Sequence, residues 1–274
     1  MRLFKKLKKS RKNKKNTKTN IRFLHDCLLV DNSVLVLGDL HIGYEEHIAE
    51  KGIFPRIQLK EIIEKLNSVF WNLSMRGVKI KQVVILGDLK HEFGGISDVE
   101  WSETLAFLDY LDKKITGNID NVKKDRIILV KGNHDNIIGP IAKKREIRVV
   151  DFYKYKEICF MHGDKLHGKC FEKSDVLIIG HLHPAITLSD KYKKEKYKCF
   201  LHGNWKFDGK TREVYILPSF SPIGFGYDLN SIEDSKHNEG FLIIKSKTLE
   251  NFDVVIYNNK ENKKYNFGKL KKLK

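Results

Sequence analysis

A chain of 274 residues with 41% hydrophobic content is long enough for one large domain with a substantial core, which excludes a wholly disordered polymer. The formal net charge of +17 sits at the ends, with +10 in residues 1–20 and +6 in residues 260–274, so residues 21–259 carry only +1. A basic body is therefore excluded, and the charge belongs to two segments that lack apolar periodicity and are expected to be disordered arms. Cys27, Cys159, Cys170 and Cys199 lie far apart without C-x-x-C spacing, in or beside apolar runs. They are expected to be thiols of a reducing cytoplasm and not a disulfide framework. No apolar run approaches the roughly 18–20 residues of a membrane span, and no secretory-signal stretch follows the N-terminal charges, so a cytoplasmic protein without membrane contact is expected.

In chain order, the first arm, residues 1–20, would attract DNA or RNA by counterion release, or would simply keep the chain soluble. Within the domain expected over residues 21–259, short runs rich in Val, Ile and Leu each end in Gly, Asp, Asn or His. The first is VLVLGDLH, ending at His41, and its length and β-branching predict a buried strand. A helix is predicted over Arg56–Leu73, where Leu59, Ile62, Ile63, Leu66, Val69, Phe70 and Leu73 recur every three or four positions and Pro55 lies at the first turn. Next come VVILGDLKH, ending at His91, a second helix over Asp98–Leu111 with an apolar stripe of Trp101, Leu105, Leu108 and Leu111, and IILVKGNHD, ending at Asp135. Strand, helix, strand, helix, strand implies parallel pairing with right-handed crossovers. ICFMHGD and VLIIGHLHP, ending at Asp164 and Pro184, add two more strands. The second of these covers Asp175–Ile179, and further strands are predicted at Lys198–His202, Glu213–Leu217 and Gly240–Ile244, with a solvent-exposed loop over Ser189–Lys198. The fold expected is α/β: a two-sheet β-sandwich flanked by α-helices, followed by the basic arm 260–274.

Parallel strands present their carboxyl ends on one edge, where open α/β folds place ligands. The polar set at those ends is Asp39, His41, Asp88, His91, Asn133, His134, His162, His181 and His183. Carboxylates mixed with imidazoles and one amide suit manganese, iron or zinc better than an all-oxygen cation such as calcium. A lone Asp-x-His is more often a surface turn, but five such elements in order, each closing a buried strand, argue for a shared site. Trp205 in GNWKFDG reads first as closing a core edge and second as a base-stacking ring. His47 is expected to face solvent, and His167 and His202 match no ligand pattern.

The ordered series GDLHIG, GDLKHE, GNHD, MHGD and GHLHP resembles the calcineurin-like metallophosphoesterase superfamily, and within it the ICC-like phosphoesterases related to SbcD-type repair nucleases. The stretch ILPSFSPIGFGYDLN resembles the C-terminal signature of that narrower group, and the likeness runs from about Leu29 to Lys245. It implies two divalent metal ions, manganese first, with iron, zinc or nickel as alternatives. Asp39, His41 and His183 would hold one ion, Asn133, His162 and His181 the other, and Asp88 would bridge them; a water activated between the ions would attack a phosphodiester. His134 would act on the leaving oxygen. His91 stands where many phosphatases of the superfamily carry an Asp, as in the SbcD-type nucleases, and would contact substrate. The implied activity is a phosphodiesterase or nuclease; the alternatives are a small-molecule phosphoesterase and a catalytically silent scaffold of the same fold.

Overall fold

The computed structural model describes residues 19–49, 55–117, 125–224, 226–231 and 243–273; the expected N-terminal arm lies outside them except for residues 19 and 20. Three strands, β1 (Ile21–Leu24), β2 (Cys27–Val30) and β3 (Val34–Leu37), open the chain as an antiparallel meander. Its turns use His25, Asp31 and Asn32 in the left-handed region, where short polar side chains are tolerated. Then follow α1 (Tyr44–Ala49), α2 (Gln58–Met75), β4 (Gln82–Ile85), α3 (Asp98–Thr116), β5 (Ile127–Val130), α4 (Gly139–Lys144) and β6 (Arg148–Val150). Strands β3 to β6 pair in parallel, so the first sheet has six strands in sequence order.

Helix α2 buries Ile62, Leu66, Val69 and Leu73, the stripe that the spacing predicts, although it begins three residues past Pro55 instead of enclosing it. Ser97 caps α3 by accepting the Glu100 N–H at 3.0 Å, and Gly117, at φ +74°, ends it. The helix outruns the predicted end at Leu111 because Ile115 carries the apolar stripe one turn further.

The second half contains β7 (Tyr153–Tyr155), β8 (Ile158–Met161), α5 (Gly168–Phe171), β9 (Val176–Ile179), β10 (Pro184–Ser189), β11 (Lys194–Lys198), β12 (Phe200–Phe207), β13 (Lys210–Ile216), β14 (Tyr227–Asp228), α6 (Ser246–Leu249), β15 (Asp253–Asn258) and β16 (Lys263–Lys269). A seven-stranded sheet runs β16-β15-β12-β13-β9-β8-β7, and a small sheet runs β11-β10-β14. The two large sheets pack face to face. Val34 and Val36 of β3 point inward to meet Phe160, Ile178 and Phe200, while Leu35 and Leu37 point outward beneath α2 and α3. This is the expected sandwich with helices outside.

Three expectations are corrected. The segment Ser189–Lys198 is not a free loop but most of a hairpin, since β10 pairs antiparallel with β11 from Ala185–Lys198 to Ser189–Lys194. Residues 260–274 are not a disordered arm: β16 pairs with β15 and Leu270 is fully buried. Lys263, Lys264 and Lys269 lie on this outer strand of the sheet, where charge discourages pairing with another chain. Cys159 on β8 and Cys170 on α5 form a disulfide with a Cα–Cα distance of 5.7 Å, because strand and helix pack side by side; Cys27 and Cys199 are free and buried. Trp205 is 5% exposed against Phe171 and Phe207, the core-edge position read first from its sequence, and offers no stacking face. Of the strand predicted at Gly240–Ile244, residues 240–242 lie outside the described residues and Ile244 is a buried core residue next to α6. Among the described residues, no helix is long and apolar enough to cross a membrane.

Candidate metal centre

The loops after β3 and β4 stay paired beyond the sheet. The His41 N–H donates to the Asp88 carbonyl at 2.8 Å, the Ile42 N–H to Leu89 at 3.0 Å, and the His91 N–H to Ile42 at 3.0 Å. Asp39, His41, Asp88 and His91 are thereby set side by side. His41, Asp88 and His183 all adopt φ +48°, and His181 adopts φ +63°. Such backbone costs of order 1–3 kcal/mol for a non-glycine residue and persists only where the surroundings impose it. Glycine is required at two neighbouring positions: a Cβ on Gly132 would collide with the Asp88 carboxylate, and Gly87, at φ +99°, faces both Gly132 and the His162 ring.

The second sheet supplies the other wall, from the ends of β8 and β9. His162 Nδ1 lies 2.7 Å from the Leu86 carbonyl oxygen and 3.2 Å from Asp39 Oδ1. Its Nε2 lies 2.9 Å from Asn133 Oδ1, 3.0 Å from His181 Nδ1 and 3.4 Å from Asp88 Oδ2. The same Asp88 oxygen is 3.7 Å from His41 Nε2, and His183 Nε2 is 3.2 Å from Asp39 Oδ2. Two groups of three have ligand atoms within 4.8 Å of one another, Asp39–His41–His183 and Asp88–His162–His181; a third, His41–His91–His134, adjoins them. His134 donates its N–H to Asp88 Oδ1 at 2.9 Å, and its Nδ1 bonds the His91 carbonyl oxygen. All nine residues picked from the sequence therefore lie in one contiguous cluster. His47 is exposed with its ring 5.5 Å from that of His91, whereas His202 pairs with Glu213 at 3.0 Å and His167 packs on Phe152.

The electrostatics of the cluster favour added positive charge. Asp39 and Asp88 are buried, which alone would raise their pKa values, yet both are held below the carboxylate range, Asp39 chiefly by the charge of His183 and Asp88 chiefly by its hydrogen bond with His162. Burial works against the His162 imidazolium, but the hydrogen bond to Asp88 and the charges of Asp39 and Asp88 push it up to about 10. His41 is driven down to about 3 and His91 to about 4, in both cases first by burial. Two carboxylates thus sit among imidazoles of which His41, His91 and His181 are pushed toward the neutral form, the form in which histidine ligates metals. Packing of imidazole nitrogens at 3.0 Å (His181 to His162) and 3.4 Å (His91 to His41) points in the same direction. So does His183 Nε2, which is buried beside Asp39 without forming a hydrogen bond. The residue set fits divalent cations.

Residues 33–236 match the family model described as calcineurin-like phosphoesterase. The chain belongs to this family. Membership supports a phosphoesterase-type hydrolase, and divalent metals are typical of the family. Among solved structures, the nuclease MPE of Pseudomonas putida is similar over 90% of this chain and 94% of that one, at 18% identity and a TM-score of 0.54, a likeness of fold. Yfce, a phosphoesterase from E. coli, aligns over 86% of this chain and 98% of its own, at 13% identity and a TM-score of 0.36. No curated protein matches the sequence.

Several residues that hold this phosphoesterase site together carry no ligand signature and escape sequence reading. Asp135, fully buried, accepts the Leu89 N–H at 3.1 Å and the Gly132 N–H at 3.0 Å, tying the β4 and β5 loops together; burial, then the charge of Asp88, raises its pKa to about 6. Gln58 donates to the His41 carbonyl at 2.8 Å and to Ser221 Oγ at 3.1 Å, so the first turn of α2 braces the first loop. The Phe220 N–H and Ser219 Oγ donate to the Asp39 carbonyl at 2.8 and 2.9 Å, which gives the SFS part of the C-terminal signature its work. Such residues show in sequence only as polar positions beside motifs.

Proposed function

We propose that this chain hydrolyses phosphodiester bonds of nucleic acid or nucleotide substrates with two divalent cations, manganese foremost. Asp39, His41 and His183 would hold one, Asn133, His162 and His181 would hold the other, and the Asp88 carboxylate would serve both. The observation that carries this reading is the placement of Asp88 Oδ2, 3.7 Å from His41 Nε2 of the first group and 3.4 Å from His162 Nε2 of the second. Bound there, the cations would acidify a water and screen the charge gathering on the phosphoryl oxygens.

The chain's own residues supply the remaining chemistry. The His134 Nδ1–H donates to the His91 carbonyl oxygen, which orients the ring and leaves Nε2 to carry a proton to the leaving oxygen. In this role a backbone carbonyl replaces the orienting carboxylate of an acid–imidazole dyad. His91, its ring stacked at 25° on that of His134, faces the same opening and contacts the phosphate. The likeness in fold to a nuclease and the charge of +10 on residues 1–20 support a polyanionic substrate.

A substrate panel in manganese tests this. Single- or double-stranded DNA, RNA or cyclic nucleotides are expected to turn over faster than any phosphomonoester. Activity on monoesters alone would overturn the diesterase reading, and no hydrolysis at all would favour a silent scaffold.

A further inference from the structure

Phe93 is 52% exposed, and its ring meets that of His134 edge to face at 4.5 Å. An exposed apolar side chain by itself means little. What distinguishes this one is the loop that carries it, which two buried charged residues grip. Lys90, with no exposed surface, donates to the Glu92 carbonyl and to the Gly95 carbonyl at 3.1 Å. Glu100, equally buried, accepts the His91 N–H at 2.6 Å and the Glu92 N–H at 2.8 Å. Burying a lysine and a glutamate carries a large desolvation cost, and here Glu100 holds the backbone before Phe93 while Lys90 holds it on both sides. A ring that merely dangled in solvent would need no such clamp. At Gly94 and Gly95 nothing lies within 4 Å of where a Cβ would stand, so the backbone that follows the ring is uncrowded.

We propose that Phe93, clamped by Lys90 and Glu100, is a stacking platform for the nucleobase next to the scissile phosphate. The inference rests on the proposed phosphodiesterase activity and narrows it to substrates that carry a base. Phe93 touches the ring that serves the leaving oxygen, so a nucleotide whose phosphate lies at the cluster brings its base within reach of the exposed face. Stacking is tolerant of sequence, since every base has a π face, and the platform therefore selects for the presence of a base and not for its identity.

The test compares oligothymidylate with an abasic oligomer of the same length, cleaved by the full chain in manganese. The wild type is expected to prefer the base-bearing oligomer by about 5- to 100-fold in kcat/KM. Phe93→Ala should collapse that preference toward unity, and Phe93→Trp should restore it. Equal losses on both oligomers in Phe93→Ala would mean that the ring only orders its loop, and equal wild-type rates on both would mean that no base is held; either overturns the platform. If neither oligomer is cut while bis(p-nitrophenyl) phosphate is, the platform falls and the diesterase reading stands. If that ester is inert as well, both fall.

Discussion

Asp88→Asn is expected to lower kcat/KM on a phosphodiester by about 10³-fold or more at saturating manganese, and to reduce the metal retained per chain. Charge stabilisation of a phosphoryl transition state by bound cations amounts to several kcal/mol, which corresponds to a factor of about 10³. The substitution keeps the shape of the side chain and an acceptor for the His134 N–H, now 2.9 Å from Oδ1, while it removes the carboxylate charge that faces His41 of one ligand group and His162 of the other. Circular dichroism should show an intact fold, because the loops are tied mainly through backbone and Asp135 contacts. Activity within tenfold of wild type would mean that Asp88 is not the shared ligand.

His134→Ala should behave differently. Turnover of a diester with a poor leaving group is expected to fall by about 10²- to 10⁴-fold while metal content stays at the wild-type level. The contrast follows from where the His134 ring is tied: its Nδ1 bonds a carbonyl, not Asp39 or Asp88. The loss should shrink for a nitrophenyl ester, whose leaving oxygen needs no proton. An equal loss on both esters, or loss of metal, would move His134 from proton donor to ligand, in line with its proximity to His41 and His91.

How much of this was legible in the sequence depended on whether the signal was local. Runs such as VLVL, VVIL and VLII are continuous and β-branched, and each ends in residues whose chemistry is visible, so the sandwich and the nine clustered residues could be read directly. β1 and β2 were missed because IRFL and CLLV are runs of only four residues, joined by short polar turns and ending in none of the Gly-Asp or Gly-His clusters that marked the other strands. β16 was hidden by composition, since KKYNFGK looks like a charged tail until β15 is there to pair with it. Cys159 and Cys170 gave no signal because their proximity is created by the packing of α5 on β8. Lys90 and Glu100 were invisible for a related reason. Both read as surface charges, and only the approach of α3 to the β4 loop turns them into a buried clamp.

The central claim is that five separated stretches hold two cations around Asp88. The most direct test is a crystal grown with manganese, with anomalous diffraction measured at the manganese edge. Two peaks are predicted, one against Asp39, His41 and His183 and the other against Asn133, His162 and His181, with Asp88 reaching both. A single peak away from Asp88, or none at saturating manganese, would contradict the account.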